Sequence, residues 1–344
     1  MPVDFLELQR AAADAPAGEV LGRSREGREI CGHRFGAGPT RVSLIAGCHA
    51  DEPVGPDLLR RLVSVLSELP ADAPALRDYS WWIVPHANPD GAARNAAWAE
   101  PLPAAVDPVA YLRHVVRELP GDDVEFGFPR DEEDDGARPE NRALYDWWRA
   151  AGAPFHVHGS LHGTMWAFGA WWLLEPGWAK RTHPLQQRCA EAAAALGYGL
   201  HDIDRQGDKG FWRIGPGFTT RPDSREMATF FTERGEPEVA ARFRPSSFET
   251  MRSLGGDPLT FVTELPLFIA VRELSHDRQE RRHAYWRDRW QRRVRVAHEA
   301  GDHPEVAAML RARIARDFRA MPVRDQQQLQ WELVRGALEA VGTP

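Results

Sequence analysis

The sequence predicts an α/β fold: a mixed, mostly parallel central sheet flanked by helices, with a helical C-terminal appendage. Three observations predict it. Short apolar or β-rich runs recur along the chain; helix-like stretches alternate with them, as in a mostly parallel, buried sheet; and past Leu274 helix patterning continues without strand patterning. The expected division is a sheet domain over residues 1–271 and a helical segment over 272–344.

In chain order, the strand-like runs are "RVSLIAG", "SWWIVPHAN", "PFHVHGSLHG", "AWWLLE" and "LTFVTELPLF". Between them lie "GPDLLRRLVSVLSEL", "ENRALYDWWRAAG" and "PLQQRCAEAAAALG", each with helical spacing of apolar residues. Pro53 and Asp57 suit the first turn of the first of these helices. Two polar segments, 121–140 and about 201–257, read as loops beside a site. The last 73 residues, 272–344, carry 15 Arg against 11 acids, and their bland role is packing or self-association.

The formal net charge is −7; residues 272–344 contribute +4, which leaves −11 for the rest and argues against nucleic acid as a partner. No run of about 18 apolar residues exists, and the first residues lack the basic start and apolar stretch of a secretory signal. A cytoplasmic protein with no membrane partner is therefore expected. Cys31, Cys48 and Cys189 show no paired spacing, so neither a disulfide framework nor a cysteine-type zinc site is expected.

In "AGCHADEPVG", His49 and Glu52 stand three apart where an apolar run ends. A helix start rich in acids, a satisfied polar pair in the core, or two ligands of one metal ion would each explain them. Their company narrows the choice. "LGRSREGREI" lies upstream, and "HANPDGAARN", "RPENRALYDWW", "GSLHG" and "FVTELPLF" follow in that order.

This ordered set resembles the zinc carboxypeptidase family of the carboxypeptidase A type, with its deacylating and desuccinylating relatives, over about residues 19–270. The resemblance implies one Zn²⁺ per chain held by His49, Glu52 and a third histidine; such a ligand set leaves a fourth position for water. His156, His158 and His162 share one face of an extended segment; the "SLHG" pattern favours His162, with His158 as the alternative. It further implies that Glu264 in "FVTELP" is the general base, a carboxylate costly to bury unless paired or functional. Arg94 in "NPDGAARN" is the candidate for holding the oxyanion, although the family's arginine usually lies further downstream. Asn88 and Asp90 read as turn-holding residues.

The pattern also breaks. Where the family has an Asn-Arg pair that grips a terminal carboxylate, "VEFGFPRD" offers Glu125 and Phe126, with Arg130 the candidate to reach in from four residues on. The tyrosine usual before the late Gly-Gly is absent; "ETMRSLGGD" has Met251, with Phe248 close by. Trp166, Trp171, Trp172, Phe211 and Trp212 could line an apolar pocket or simply fill a core. The expected function is zinc-dependent hydrolysis of a peptide or amide bond. The alternatives are a zinc deacylase or amidase acting on N-acyl amino acids or cell-wall peptides, and a degenerate binding member of the fold. The expected partners are a peptide or N-acyl amino acid substrate and, through the C-terminal helices, a second copy of the chain.

Overall fold

Parallel pairing runs through the middle of the sheet, among ten strands in the described residues. In the computed structural model, which describes residues 3–270, 276–300 and 303–342, these are β1 (Glu19–Arg23), β2 (Glu29–Phe35), β3 (Thr40–Ala46), β4 (Tyr79–Val84), β5 (Val157–Ala167), β6 (Trp172–Leu174), β7 (Arg213–Gly215), β8 (Phe218–Thr220), β9 (Leu259–Ala270) and β10 (Phe318–Ala320). They form one sheet in the order β1-β2-β4-β3-β5-β9-β6-β8-β7, with β10 also paired to β9. The pairs β4/β3, β3/β5 and β5/β9 are parallel, and antiparallel strands flank them. The expected mixed, mostly parallel centre is present.

Helices cover both faces. On one side the helices Val54–Glu68, His183–Ala195 and Val323–Val341 share a core with Leu44, Trp81, Leu161 and Phe261. On the other, the helix Pro139–Arg149 packs Trp147 and Trp148 beside Ile45, Trp82 and Val84. Burial on both faces explains why Leu44, Ile45 and Ala46, consecutive in β3, are all apolar.

Two expectations change. The segment 201–257 is not all loop, since it holds β7, β8 and the helices Ser224–Glu233, Pro237–Ala240 and Ser247–Ser253. Two of these start with capping boxes, Asp223 with Glu226 and Ser246 with Glu249, a signal present in the sequence as "DSRE" and "SSFE". The boundary drawn between residues 271 and 272 lies outside the described residues. Beyond it the expected helices are present, as His276–Ala300, Pro304–Ala315 and Val323–Val341, together with the unexpected strand β10. Leu329, Trp331, Leu333, Val334 and Leu338 are buried in the core that also holds Val42 and Leu44. The change of patterning therefore marks a change of element type, and the core continues across it.

Candidate metal centre

The chain leaves β3 through Gly47, whose φ is +66°; a Cβ there would lie 2.7 Å from the His86 ring, so the turn needs glycine. This turn presents His49 and Glu52 just before the helix Val54–Glu68, with Pro53 at its N-cap and Asp57 in its first turn. In the neighbouring strand Leu161 pairs with Ala46, so His162 emerges one residue beyond at the same edge.

The three side chains meet. His162 Nδ1 lies 2.8 Å from Glu52 Oε2, and the His49 and His162 rings are 4.9 Å apart. One ligand-capable atom from each of the three lies within 4.8 Å of the others. Burial pushes His49 down to about 3, which leaves its imidazole neutral. Burial alone would push Glu52 up, but His49 and His162 outweigh it and hold the carboxyl at about 2. His162 is driven the other way: burial disfavours its charge, yet Glu52 raises it well above the ordinary value. A buried ionised carboxylate thus draws positive charge into the site, and two imidazoles with one carboxylate are a donor set that fits zinc. A second group, Cys48, Glu125 and His162, shares the histidine. Its Cys48 is 1% exposed, within the core that holds Ile45 and Val84 and off the cavity lining, and its Glu125 is paired with Arg221.

The cavity beside the triad measures about 300 Å³ and is lined by His49, His162, Glu264, Arg117, Arg221 and Glu125 among others. In the parallel β5/β9 ladder Glu264 is the register partner of His162. Burial and the nearby Glu52 push Glu264 up to about 8 against the pull of His162, Arg117 and Arg221, so it holds its proton at neutral pH when no metal is bound.

Two expected site residues stand elsewhere. Arg94 belongs to the helix Pro89–Ala99, whose inward face is Gly91 and Asn95; its side chain is 46% exposed and pairs with Glu26 of the β1–β2 turn. Arg130 is exposed, with its backbone N–H donating to Asp134 Oδ2 at 2.9 Å. Phe128, stacked on Trp148 at 5.5 Å, anchors the loop in the core, and the chain beyond it runs outward. His156 is exposed, its Nδ1 accepting from the Arg41 N–H, and His158 is a core histidine 3.0 Å from Ser43 Oγ. Asn88 caps its helix by accepting from the Gly91 N–H at 2.9 Å. Buried Asp90 ties the two upstream motifs together, accepting from Ser24 Oγ at 2.6 Å and pairing with Arg28.

Among the described residues the cations lining the cavity are Arg117, Arg205, Lys209 and Arg221, which sequence reasoning missed. Arg117 follows the helix Pro108–His114; it contacts Asp51 Oδ1 at 3.1 Å and Glu52 Oε1 at 3.4 Å. Burial opposes its charge, but Asp51 and Glu52 outweigh that and raise its pKa. Arg221, just past β8, pairs with Glu125 and lies 3.3 Å over the Phe248 ring; burial lowers it to about 9. Glu125 also stands 3.1 Å from His162 Nε2. The one sequence signal, a place further downstream than "NPDG", applies to Arg117 and Arg221 alike.

Residues 7–106 match the family described as zinc carboxypeptidase, a span that holds His49 and Glu52. No curated protein matches the chain in sequence. Among solved structures, carboxypeptidase A from Helicoverpa armigera is 15% identical, with 91% of this chain and 71% of that one covered at a TM-score of 0.45. A metallo-carboxypeptidase from Pseudomonas aeruginosa is 16% identical, covering 96% and 66% at a TM-score of 0.42. Bovine thrombin-activatable fibrinolysis inhibitor is 12% identical, covering 86% and 90% at 0.43. With the match beginning ahead of the β1–β2 turn and running past the His49–Glu52 pair and "NPDG", the chain resembles the zinc carboxypeptidase family.

Proposed function

We propose that the protein is a zinc-dependent hydrolase of peptide or amide bonds, with His49, Glu52 and His162 as the ligands. The observation that carries this reading is the meeting of these three side chains at one sheet edge beside a cavity that also holds Glu264. When bound, zinc supplies Lewis acidity: it makes water a stronger acid and polarises a carbonyl oxygen. Glu264 takes the proton of the attacking water and delivers it to the leaving nitrogen, a role suited to a carboxyl whose affinity for a proton burial has raised. Arg117, held charged by Asp51 and Glu52, is the cation for the oxygen on which negative charge develops, in place of Arg94.

The leading substrate is a peptide. A deacylase or amidase reading is favoured by the sequence: Glu125 and Phe126 stand where the resemblance expects the Asn-Arg pair that grips a terminal carboxylate, and Arg221, the cation beside them, is already paired with Glu125. Metal analysis of the purified chain, followed by assay on matched peptides with free and amidated C-termini, tests both. We expect one zinc per chain and hydrolysis that stops on chelation and returns with zinc. Absence of stoichiometric zinc, with no thermal shift on adding it, would end the hydrolase reading and leave the binding-module alternative. Equal cleavage of the amidated and free forms would favour the amidase.

A further inference from the structure

A second, larger cavity, of about 820 Å³, opens beside the first. Thr164, Trp171 and Arg205 line both, so they form the threshold between them. One wall is β5 itself, continuing from His162 through Thr164 to Trp166; at the rise of an extended strand that carries a bound chain about 13 Å from the metal ligands. The other wall is one stripe of the helix His276–Ala300, where His283, Arg287, Gln291 and Arg295 recur every fourth residue beside Trp290 and Val294.

The lining has two chemical characters. Trp166, Trp171, Trp290, Met165, Ile203 and Val294 give it apolar and aromatic walls. Arg205, Arg287 and Arg295 are its charged residues, and no acid among the described residues lines it, in a chain whose net charge is −7. The two histidines add no charge at neutral pH, since burial pushes His201 down to about 3 and His283 to about 4. Arg205 lies 4.1 Å over the Phe211 ring and donates to Asp208, which fixes it at the threshold.

We infer that this chamber is a substrate subsite, built in part by the C-terminal helix His276–Ala300, that takes an apolar chain or ring system bearing an anionic group. The inference deepens the hydrolase reading by naming the substrate class, while binding to the chamber does not depend on turnover. An aromatic wall accepts aliphatic and aromatic groups alike, so the apolar part is either a long acyl chain or aromatic side chains of a peptide. The arginines select the anion, and selection at the rim is sensitive to salt.

The probe is 8-anilinonaphthalene-1-sulfonate, an aromatic anion, titrated into the folded full-length chain with and without zinc. We expect one saturable site with enhanced emission. Val294→Trp, which fills the chamber, and Arg295→Glu, at an exposed rim position, should each weaken it at least tenfold without lowering the melting temperature. Displacement by N-dodecanoylglutamate but not by an acetylated Phe-Phe-Asp peptide identifies an acyl chain, and the reverse identifies a peptide. Absence of saturable binding, or binding unchanged in Arg295→Glu and in a folded Val294→Trp, overturns the inference. A chain that binds the probe in this way but holds no zinc loses the hydrolase reading and keeps the chamber.

Discussion

Glu264 and His162 are directly opposed across the parallel β5/β9 ladder, so both project from the same face of the sheet where the two strands meet the cavity. Thr263 Oγ1 donates to the His162 carbonyl at 2.7 Å and fixes that register. A carboxyl held there by two strands cannot be replaced by a neighbour. Glu264→Gln keeps the size and removes the base; kcat should fall by about 10²–10⁴-fold, while zinc content stays at one per chain. Loss of the metal together with activity would instead make Glu264 a structural partner of the site.

The same carboxyl makes stability depend on pH. Burial and Glu52 raise Glu264 from 4.5 to about 8, so the folded state binds a proton more tightly than the unfolded state. Its contribution is fully present below about pH 4.5 and is lost as pH rises through about 8. Asp123, pushed by burial to about 6, acts in the same sense. Metal-free protein should therefore melt at lower temperature as pH rises from about 7 to about 8.5, above the range in which His49, His201 and His283, each held below its ordinary value by burial, act in the opposite sense, and Glu264→Gln should flatten that slope. Equal slopes in the two proteins would show that Glu264 is solvated in the folded state.

His162 links metal and protons. Its raised pKa, driven by Glu52 against burial, means that zinc and a proton compete for one imidazole. Zinc affinity should fall as pH is lowered, and calorimetry in buffers of different ionisation enthalpy should report proton release on binding. Binding that is independent of pH and releases no proton would remove His162 from the ligand set.

The two arginines separate position in sequence from position in space. Arg94→Ala should change kcat/KM by less than about threefold, as expected for an exposed ion pair with Glu26. Arg117→Ala should lower kcat by about 10²–10³-fold, with Arg117→Lys recovering part of the loss. A large effect at Arg94 and none at Arg117 would reverse the assignment.

That reversal of arginines shows where the sequence was legible. His162 and Glu264 lie within buried strands, where alternation with period two predicts which side chains share a face, and His49 and Glu52 lie in the turn just past β3. On its helix Arg94 stands four residues from buried Asp90 and from buried Trp98, so helical period alone does not turn it outward; its exposure goes with the pairing to Glu26. Arg117, Glu125 and Arg221 come from segments between elements, where no period ties sequence to direction. Their meeting depends on how the loop around 121–138 and the end of β8 close over the cavity, which is a tertiary property. The strand β10 was hidden because three residues, Phe318–Ala320, are too few to show alternation.

The C-terminal helix Val323–Val341 supports the site as well as the core. Gln330 Nε2 donates to the His162 carbonyl at 3.1 Å, and Gln327 Nε2 donates to Asp57 at 2.6 Å in the first turn of the helix that follows Glu52. Leu329, Trp331, Leu333, Val334 and Leu338 are each at most 1% exposed. At about 1.5–3 kcal/mol for each buried side chain, their loss is comparable to the whole stability of a domain, about 5–15 kcal/mol. A chain ending at Ala320 should therefore fail to fold, read as loss of the cooperative melting transition. Gln330→Ala should fold, with zinc affinity reduced by about tenfold through a less firmly held His162 strand end. A truncated chain that melts cooperatively and binds zinc as the full chain does would return these helices to the role of an appendage.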